Sequence, residues 1–286
     1  MKKLLILSGK GGTGKTTVAG AFIKLSNAKA FADCDVDAPN LHLIMEQKTK
    51  PIKSDYIGMG KANIDLGRCV SCGFCEKNCR FDAIKLDNAC YKVNEFACEG
   101  CGVCEAICPA SAIELFPQVS GELMLYKNDA VFSTAQLKMG SGTSGKLVTE
   151  VKRQLNLGNI NTDLAIIDGS PGIGCPVIAS LSGVDMVLIV AEPSLSGISD
   201  LERIIRTAQK FDVKTVICVN KYDTNIENTL KIEKLCNMKG LPFVGKIPFD
   251  RNIIAALNKG KSIIDVDCAA TKAIKSVYEK TINILN

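Results

Sequence analysis

Tryptophan is absent from this 286-residue chain, aromatic residues make up only 5% of it, and histidine occurs once. Without large rings the core must be built from Ile, Val, Leu and Ala, and the lone His42 reads as a packed or solvent-facing residue. No stretch approaches the ~18 apolar residues needed to span a bilayer. The opening "MKKLLILSGKGG" has too short an apolar segment for a secretory signal. A net charge of +5 is too small to indicate nucleic acid. The chain is therefore expected in the cytoplasm, with neither nucleic acid nor membrane as partner. Fourteen cysteines in that reducing compartment argue for metal rather than disulfides.

The length allows one large α/β domain and a small extra module. Short apolar runs at Leu4–Ser8, Ala30–Asp33, Leu164–Asp168, Met186–Ala191, Thr215–Asn220 and Phe243–Ile247 predict strands. Several lack alternation, as parallel strands buried on both faces do. Helical stretches at Lys15–Leu25, Ser199–Phe211 and Asn225–Met238 lie between them. The fold class expected is a doubly wound, mostly parallel α/β sheet. The last eighteen residues read as a packed final helix, with an amphipathic membrane helix as the alternative.

The pattern breaks after the second strand. "CVSCGFCEKNCRFDAIK" aligns with "CEGCGVCEAICPASAIE" at an offset of 29 residues. Two copies of one unit predict an inserted pseudo-symmetric α+β module over 59–116, dividing the larger domain into 1–58 and 117–286. Residues 59–116 carry six Lys and Arg against eight Asp and Glu, so an acidic module would sit on a basic remainder. Beyond it, Gly121–Thr134 reads as a hairpin turning near Asn128 and Asp129. A flexible Gly140–Lys146 loop then leads into a helix from near Ser144.

Gly9-Lys10-Gly11-Gly12-Thr13-Gly14-Lys15-Thr16 satisfies G-x-x-x-x-G-K-[ST] between a strand and a helix. Backbone N–H groups of such a loop converge on one anion, and the helix N-terminus adds its dipole. Lys15 is expected on the β- and γ-phosphates and the Thr16 hydroxyl on Mg2+. The nucleotide-binding stretch runs from Gly9 to Thr17.

Cys69, Cys72, Cys75 and Cys79 have the spacing C-x2-C-x2-C-x3-C, and Cys98, Cys101, Cys104 and Cys108 repeat it. That is the bacterial ferredoxin run, whose fourth cysteine ligates the other cluster. One 4Fe–4S cluster is thus expected on Cys69, Cys72, Cys75 and Cys108, and a second on Cys79, Cys98, Cys101 and Cys104. Zinc is the alternative that C-x-x-C pairs alone would allow. Arg80 stands where Pro109 follows the second run, and a cation there would separate the two potentials.

"KGGTGKT" resembles the deviant Walker A motif of the MinD/ParA/Mrp P-loop ATPases, to which the nitrogenase iron protein is related. The resemblance covers the whole chain and implies an ATPase using ATP with Mg2+, paired as a homodimer or with a related ATPase. In that group the lysine equivalent to Lys10 crosses the dimer interface to the partner's nucleotide. "FADCDVDAPNLHL" resembles switch I, implying that Asp35 orients the attacking water. "LAIIDGSPG" resembles Walker B and switch II, implying that Asp168 holds Mg2+ through water. "VNKYD" implies Asn220 as an adenine contact; read as N-K-x-D it would signal GTP. Cys175 matches a switch II cysteine that bridges a metal in the nitrogenase protein, although a plain thiol is the simpler expectation. The function expected is ATP hydrolysis gating one-electron transfer to a redox partner protein. The alternatives are an iron–sulfur cluster carrier of Mrp type and a positioning ATPase with a redox-sensing module.

Overall fold

The computed structural model describes residues 1–45, 47, 49–156 and 161–286. Its strands are β1 (Lys2–Ser8), β2 (Ala30–Asp33), β3 (Ile52–Ile57), β4 (Lys61–Ile64), β5 (Ile84–Asp87), β6 (Cys90–Val93), β7 (Ile113–Phe116), β8 (Val119–Lys127), β9 (Val131–Leu137), β10 (Leu164–Pro171), β11 (Met186–Ala191), β12 (Lys214–Asn220) and β13 (Phe243–Ile247). Its helices are α1 (Lys15–Ser26), α2 (Phe74–Lys77), α3 (Val103–Ala106), α4 (Ser144–Asn156), α5 (Cys175–Leu181), α6 (Leu195–Lys210), α7 (Ile226–Met238), α8 (Arg251–Leu257) and α9 (Ala269–Leu285).

Nine strands form one sheet in the order β13-β12-β11-β1-β10-β2-β9-β8-β3. The seven from β13 to β9 run parallel, while at one edge β8 runs antiparallel to both of its neighbours, β9 and β3. Every expected strand is present, and both helices and sheet follow the doubly wound pattern. Alternate residues of β1 feed opposite cores. Leu5 and Leu7 pack with α4, α5 and α6, while Leu4 and Ile6 pack with α1 and α9. All four are fully buried, which is why the strand reads as an unbroken apolar run. The apolar face of α9 is used up inside: Ile274 and Val277 are buried, and the Tyr278 ring lies 5.2 Å from that of Phe22. Among the described residues no helix is long and apolar enough to cross a membrane.

Two boundaries shift for local reasons. Helix α6 begins at Leu195 rather than Ser199, because the Ser194 hydroxyl caps it, accepting from the Gly197 N–H at 3.1 Å. The hairpin strands β8 and β9 are longer than the alternating pattern suggested, with Lys127 paired to Val131 across the turn.

Strand β3 was not expected. Ile52 and Ile57 are exposed and only Tyr56 is buried, so the strand lacks an apolar signature and is held by pairing with β8. Its last residue, Ile57, faces Val119 at the start of β8. The chain between them leaves the sheet and returns beside its point of departure. It forms two small antiparallel sheets, β4-β7 and β5-β6, around a separate apolar cluster that includes Ile64, Ile84, Tyr91 and Ile113.

Candidate nucleotide site and cysteine cavities

The chain's order reverses about β1: β2 follows on one side of it and β11 on the other. Ligand sites of doubly wound sheets lie at such a point, beyond the carboxyl ends of the strands. Gly9–Thr16 occupies it, leading from β1 into α1. Gly14 has φ +92°, and a methyl group there would collide with the Asn220 amide. Both the backbone conformation and the close approach require glycine.

Lys15 and Asp168 meet beneath the loop. The ammonium lies 2.6 Å from Asp168 Oδ1, with side chains 6% and 0% exposed. Burial works against the charge on Lys15. The Asp168 carboxylate and its hydrogen bond, helped by Asp33 and Asp35, more than offset that, and the pKa is raised. Asp168 Oδ2 is buried with no partner among the described residues, as is Thr13 Oγ1. A buried carboxylate oxygen left unsatisfied beside a phosphate loop fits a site completed by hydrated Mg2+.

Asp33 carries more than its place in the acidic loop suggested. It is fully buried at the end of β2. Its Oδ1 accepts from the Asp35 N–H at 3.0 Å, and Oδ2 from those of Asn40 and Leu41, each at 2.9 Å. Burial first, then Asp168, pushes its pKa up to about 7, against those hydrogen bonds and Lys15. Asp33 thereby shapes the loop that presents Asp35. Asp35 is half-buried, and burial raises its pKa while Lys15 opposes the rise. Asp37 is exposed. The one signal for Asp33 was its position as the last strand residue.

Lys10 reaches out of its loop to the segment after β11. Its ammonium lies 2.8 Å from Glu192 Oε2 and donates to Ser194 Oγ at 3.0 Å, just before α6. Glu192 also holds Lys221 at 3.3 Å, and Lys221 donates to the Gly12 carbonyl at 2.9 Å. Burial tends to raise the Glu192 pKa, but hydrogen bonds and charge from the two lysines bring it below its ordinary value. A carboxylate distant in sequence thus straps the loop from outside; no local motif announces it.

A cavity of about 220 Å³ opens beside the loop, lined by Gly14, Thr17, Asn220, Lys221, Phe249 and Ile253 among others. Asn220 is on its wall but already engaged: Nδ2 donates to the Thr13 carbonyl at 2.7 Å, and Oδ1 accepts from Lys221 N at 3.0 Å. Asp223, the last residue of N-K-x-D, accepts from the Phe249 N–H at 2.7 Å and does not line the cavity. Asp250 does line it, with its carboxylate capping α8 through Asn252 N at 2.9 Å.

The eight clustered cysteines separate into two sets. Cys69, Cys72, Cys75 and Cys108 line one small cavity. Cys79, Cys98, Cys101 and Cys104 line another. In each set three cysteines come from one run and the fourth from the other. Both cavities keep the repeat's symmetry: Ala83 N donates to Cys79 Sγ at 3.4 Å, and Ala112 N to Cys108 Sγ at 3.3 Å. All fourteen cysteines are free thiols. Among the described residues no three His, Cys, Asp or Glu side chains converge as one mononuclear ion requires. Four thiols around each cavity, three from one run and the fourth from the other, match the donor set of the ferredoxin run. Burial raises the pKa of Cys75 and Cys104, so these two thiols are held neutral. Cys175 is exposed at the first residue of α5, apart from both cavities.

A phosphate loop on a doubly wound parallel sheet, with a buried lysine–aspartate pair beneath it, defines a P-loop nucleotide-binding protein. The chain belongs to the CobQ/CobB/MinD/ParA nucleotide binding domain family of P-loop ATPases, which matches residues 4–263. It is 35% identical to an uncharacterised protein of Methanocaldococcus jannaschii over 97% of this chain and 95% of that one. It is 25% identical to an iron-sulfur cluster carrier protein of Pyrococcus horikoshii, covering 99% and 86% respectively. The septum site-determining protein MinD of Pyrococcus horikoshii, complexed with Mg-ADP, shares the fold. Its TM-score is 0.60 at 17% identity, covering 100% of this chain and 98% of that one.

Proposed function

We propose that this protein binds and hydrolyses ATP with Mg2+, and that pairing of two such chains around nucleotide gates electron delivery from an inserted two-cluster iron–sulfur module, residues 59–116, to a partner protein. The observation that carries it is the crossing of fourth cysteines between two cavities in a chain that also has a complete phosphate loop. Each bound 4Fe–4S cluster would supply a one-electron carrier.

The chain's own residues have distinct tasks. The amides of Gly9–Thr17 cradle the phosphates, Lys15 leaves Asp168 for the β- and γ-phosphates, and Thr16 with Asp168 holds Mg2+. Asp35, presented by Asp33, orients water. Asn220 braces the loop at Thr13 and offers its remaining N–H to the base. Lys10, released from Glu192, reaches the partner's nucleotide. Cys175 remains a thiol of the moving segment.

The base cavity favours adenine. Guanine brings N1–H and a 2-amino group, and Asp223, the carboxylate an N-K-x-D site would turn toward them, accepts from Phe249 N and is not on the cavity wall. Each unsatisfied donor costs about 1–3 kcal/mol. ATP is therefore expected to outcompete GTP by at least about tenfold in equilibrium displacement of a labelled nucleotide. Equal displacement would reverse the assignment. Lys10→Ala is expected to cut turnover by about 10³-fold, as loss of a charge-neutralising finger does, and to abolish ATP-dependent pairing in gel filtration. As a partly exposed pair, Lys10 with Glu192 contributes only about 0–1 kcal/mol to folding.

Anaerobically purified protein is expected to carry about eight iron atoms per chain if both runs are filled. A redox titration with and without ATP then tests the gating: superimposed curves would reject it. Similarity to a cluster carrier protein favours a second reading, in which iron is handed to apo-proteins. Iron retained in the presence of apo-acceptors would exclude that.

A further inference from the structure

We infer that the strap Lys138–Gly145 transmits nucleotide state from the segment after Asp168 to the cavity of Cys79, Cys98, Cys101 and Cys104, leaving the other cavity untouched; this rests on the proposed function. The need for a transmitter follows from the sheet. The cysteine-rich segment leaves from β3 and returns through β8, four and three strands from β10. At ~4.8 Å per strand that is about 19 and 14 Å, too far for Asp168 to act directly.

The strap spans this gap. At its inner end Gly145 lies on Cys175, the start of α5: a methyl at Gly145 would sit 3.1 Å from the Cys175 carbonyl oxygen and 3.2 Å from its Cβ. At its outer end a methyl at Gly142 would collide with the Glu99 carboxylate, and one at Gly140 would lie 3.2 Å from the Phe96 ring. Glu99 stands between Cys98 and Cys101 and lines their cavity. None of the nearest neighbours of these glycines belongs to the Cys69–Cys75 run. The inner contact is backbone against backbone, while the outer ones press backbone against the Glu99 carboxylate and the Phe96 ring.

Two further contacts make the strap stiff. Thr143 has φ +78°, a conformation that a β-branched residue holds only under constraint. The Tyr56 hydroxyl, at the end of β3, lies 3.2 Å from Thr143 Oγ1 and donates to it. Helix α4 follows at once, and its Lys152 donates to the carbonyls of Ala179 at 3.0 Å and Ser180 at 2.7 Å, and to that of Ser182. Helices α4 and α5 are thereby fastened, so a displacement of α5 at the nucleotide site moves both ends of the same unit.

Hydrogen exchange of the iron-loaded, full-length protein, with Mg-ADP against a non-hydrolysable Mg-ATP analogue, tests this. Amides of 138–145 and 96–104 are expected to change by about tenfold, within the usual range for coupling between sites, together with those of 172–178. Amides of 67–75 should stay constant. Thr143→Gly is expected to abolish the response at 96–104 while 172–178 still responds. Gly142→Ala, which presses on Glu99, should alter 96–104 without nucleotide. A response at 172–178 with 96–104 unchanged, or an equal response at 67–75, overturns the inference even with both variants set aside. Redox curves indifferent to ATP despite a response at 96–104 would instead fault the gating reading.

Discussion

Lys15→Met is expected to lower turnover by about two to three orders of magnitude and also to destabilise the nucleotide-free protein by about 3–5 kcal/mol. The second effect sets this lysine apart from a loop residue waiting in water. Among the described residues it is the one cation paired with Asp168, whose carboxylate is fully buried and has its other oxygen without a partner. The Asp168 charge also raises the cost of ionising Asp33, and Lys15 offsets it. Without the ammonium, Asp33 loses that compensation. The sign of the pH effect follows. Asp33 already titrates near 7 in the folded protein, far above its value in the unfolded chain, and loss of Lys15 raises it further. A group raised on folding stabilises fully below its unfolded pKa, and that stabilisation is lost as pH climbs through the folded value. The stability deficit of Lys15→Met should therefore grow as pH rises through about 7, where Asp33 ionises in the parent protein but not yet in the variant. Adding Asp168→Asn should recover most of the stability and none of the turnover. Urea denaturation of the single and double variants measures this; an unchanged midpoint for Lys15→Met would mean that the buried pair contributes nothing.

The same residues show what could be read from order along the chain. The phosphate loop is a contiguous motif between an apolar run and a helix, so its position and its lysine were legible at once. The parallel strands were legible because Leu4–Leu7 and Met186–Ala191 are buried on both faces and have no polar alternate. Strand β3 was not, since Ile52, Lys53, Ser54 and Asp55 are all exposed and only pairing with β8 defines them. Nor was the fate of Lys10. Its partner Glu192 follows β11, far along the chain, and the adjacency of β11 to β1 brings them together. Asn220 was legible as the last residue of a strand, and it lies on the wall of the cavity beside the loop, but its bond to Thr13 depends on a gap that Gly14 leaves. Motifs specify which groups are present; sheet order decides which of them are already occupied.

Cysteine substitution should give the largest effect in the other half of the molecule. Cys108→Ala is expected to lose about four of about eight iron atoms, and the iron lost is that assigned to Cys69, Cys72 and Cys75, not that of its own run. Cys79→Ala should remove the other set. The lever is the crossing seen in the two cavities, where Cys108 lines the first and Cys79 the second. Because each crossing cysteine ties one half of the repeat to the other, stability should fall with the iron. The segment's own core is little more than Ala62, Ile64, Ala83, Ile84, Tyr91 and Ile113, flanked by sheets of two strands each. A core of that size does not hold so small a unit without a staple. Additivity identifies the set removed. Cys108→Ala combined with Cys69→Ala should lose no more iron than either alone, because both empty one cavity. Cys108→Ala combined with Cys98→Ala should lose nearly all of it, since the two changes strike different cavities. If each run instead bound its own metal, as paired zinc sites would, the two combinations would exchange outcomes: loss with Cys98→Ala would saturate and loss with Cys69→Ala would add. Iron and zinc analysis of these four variants separates the two arrangements without recourse to activity.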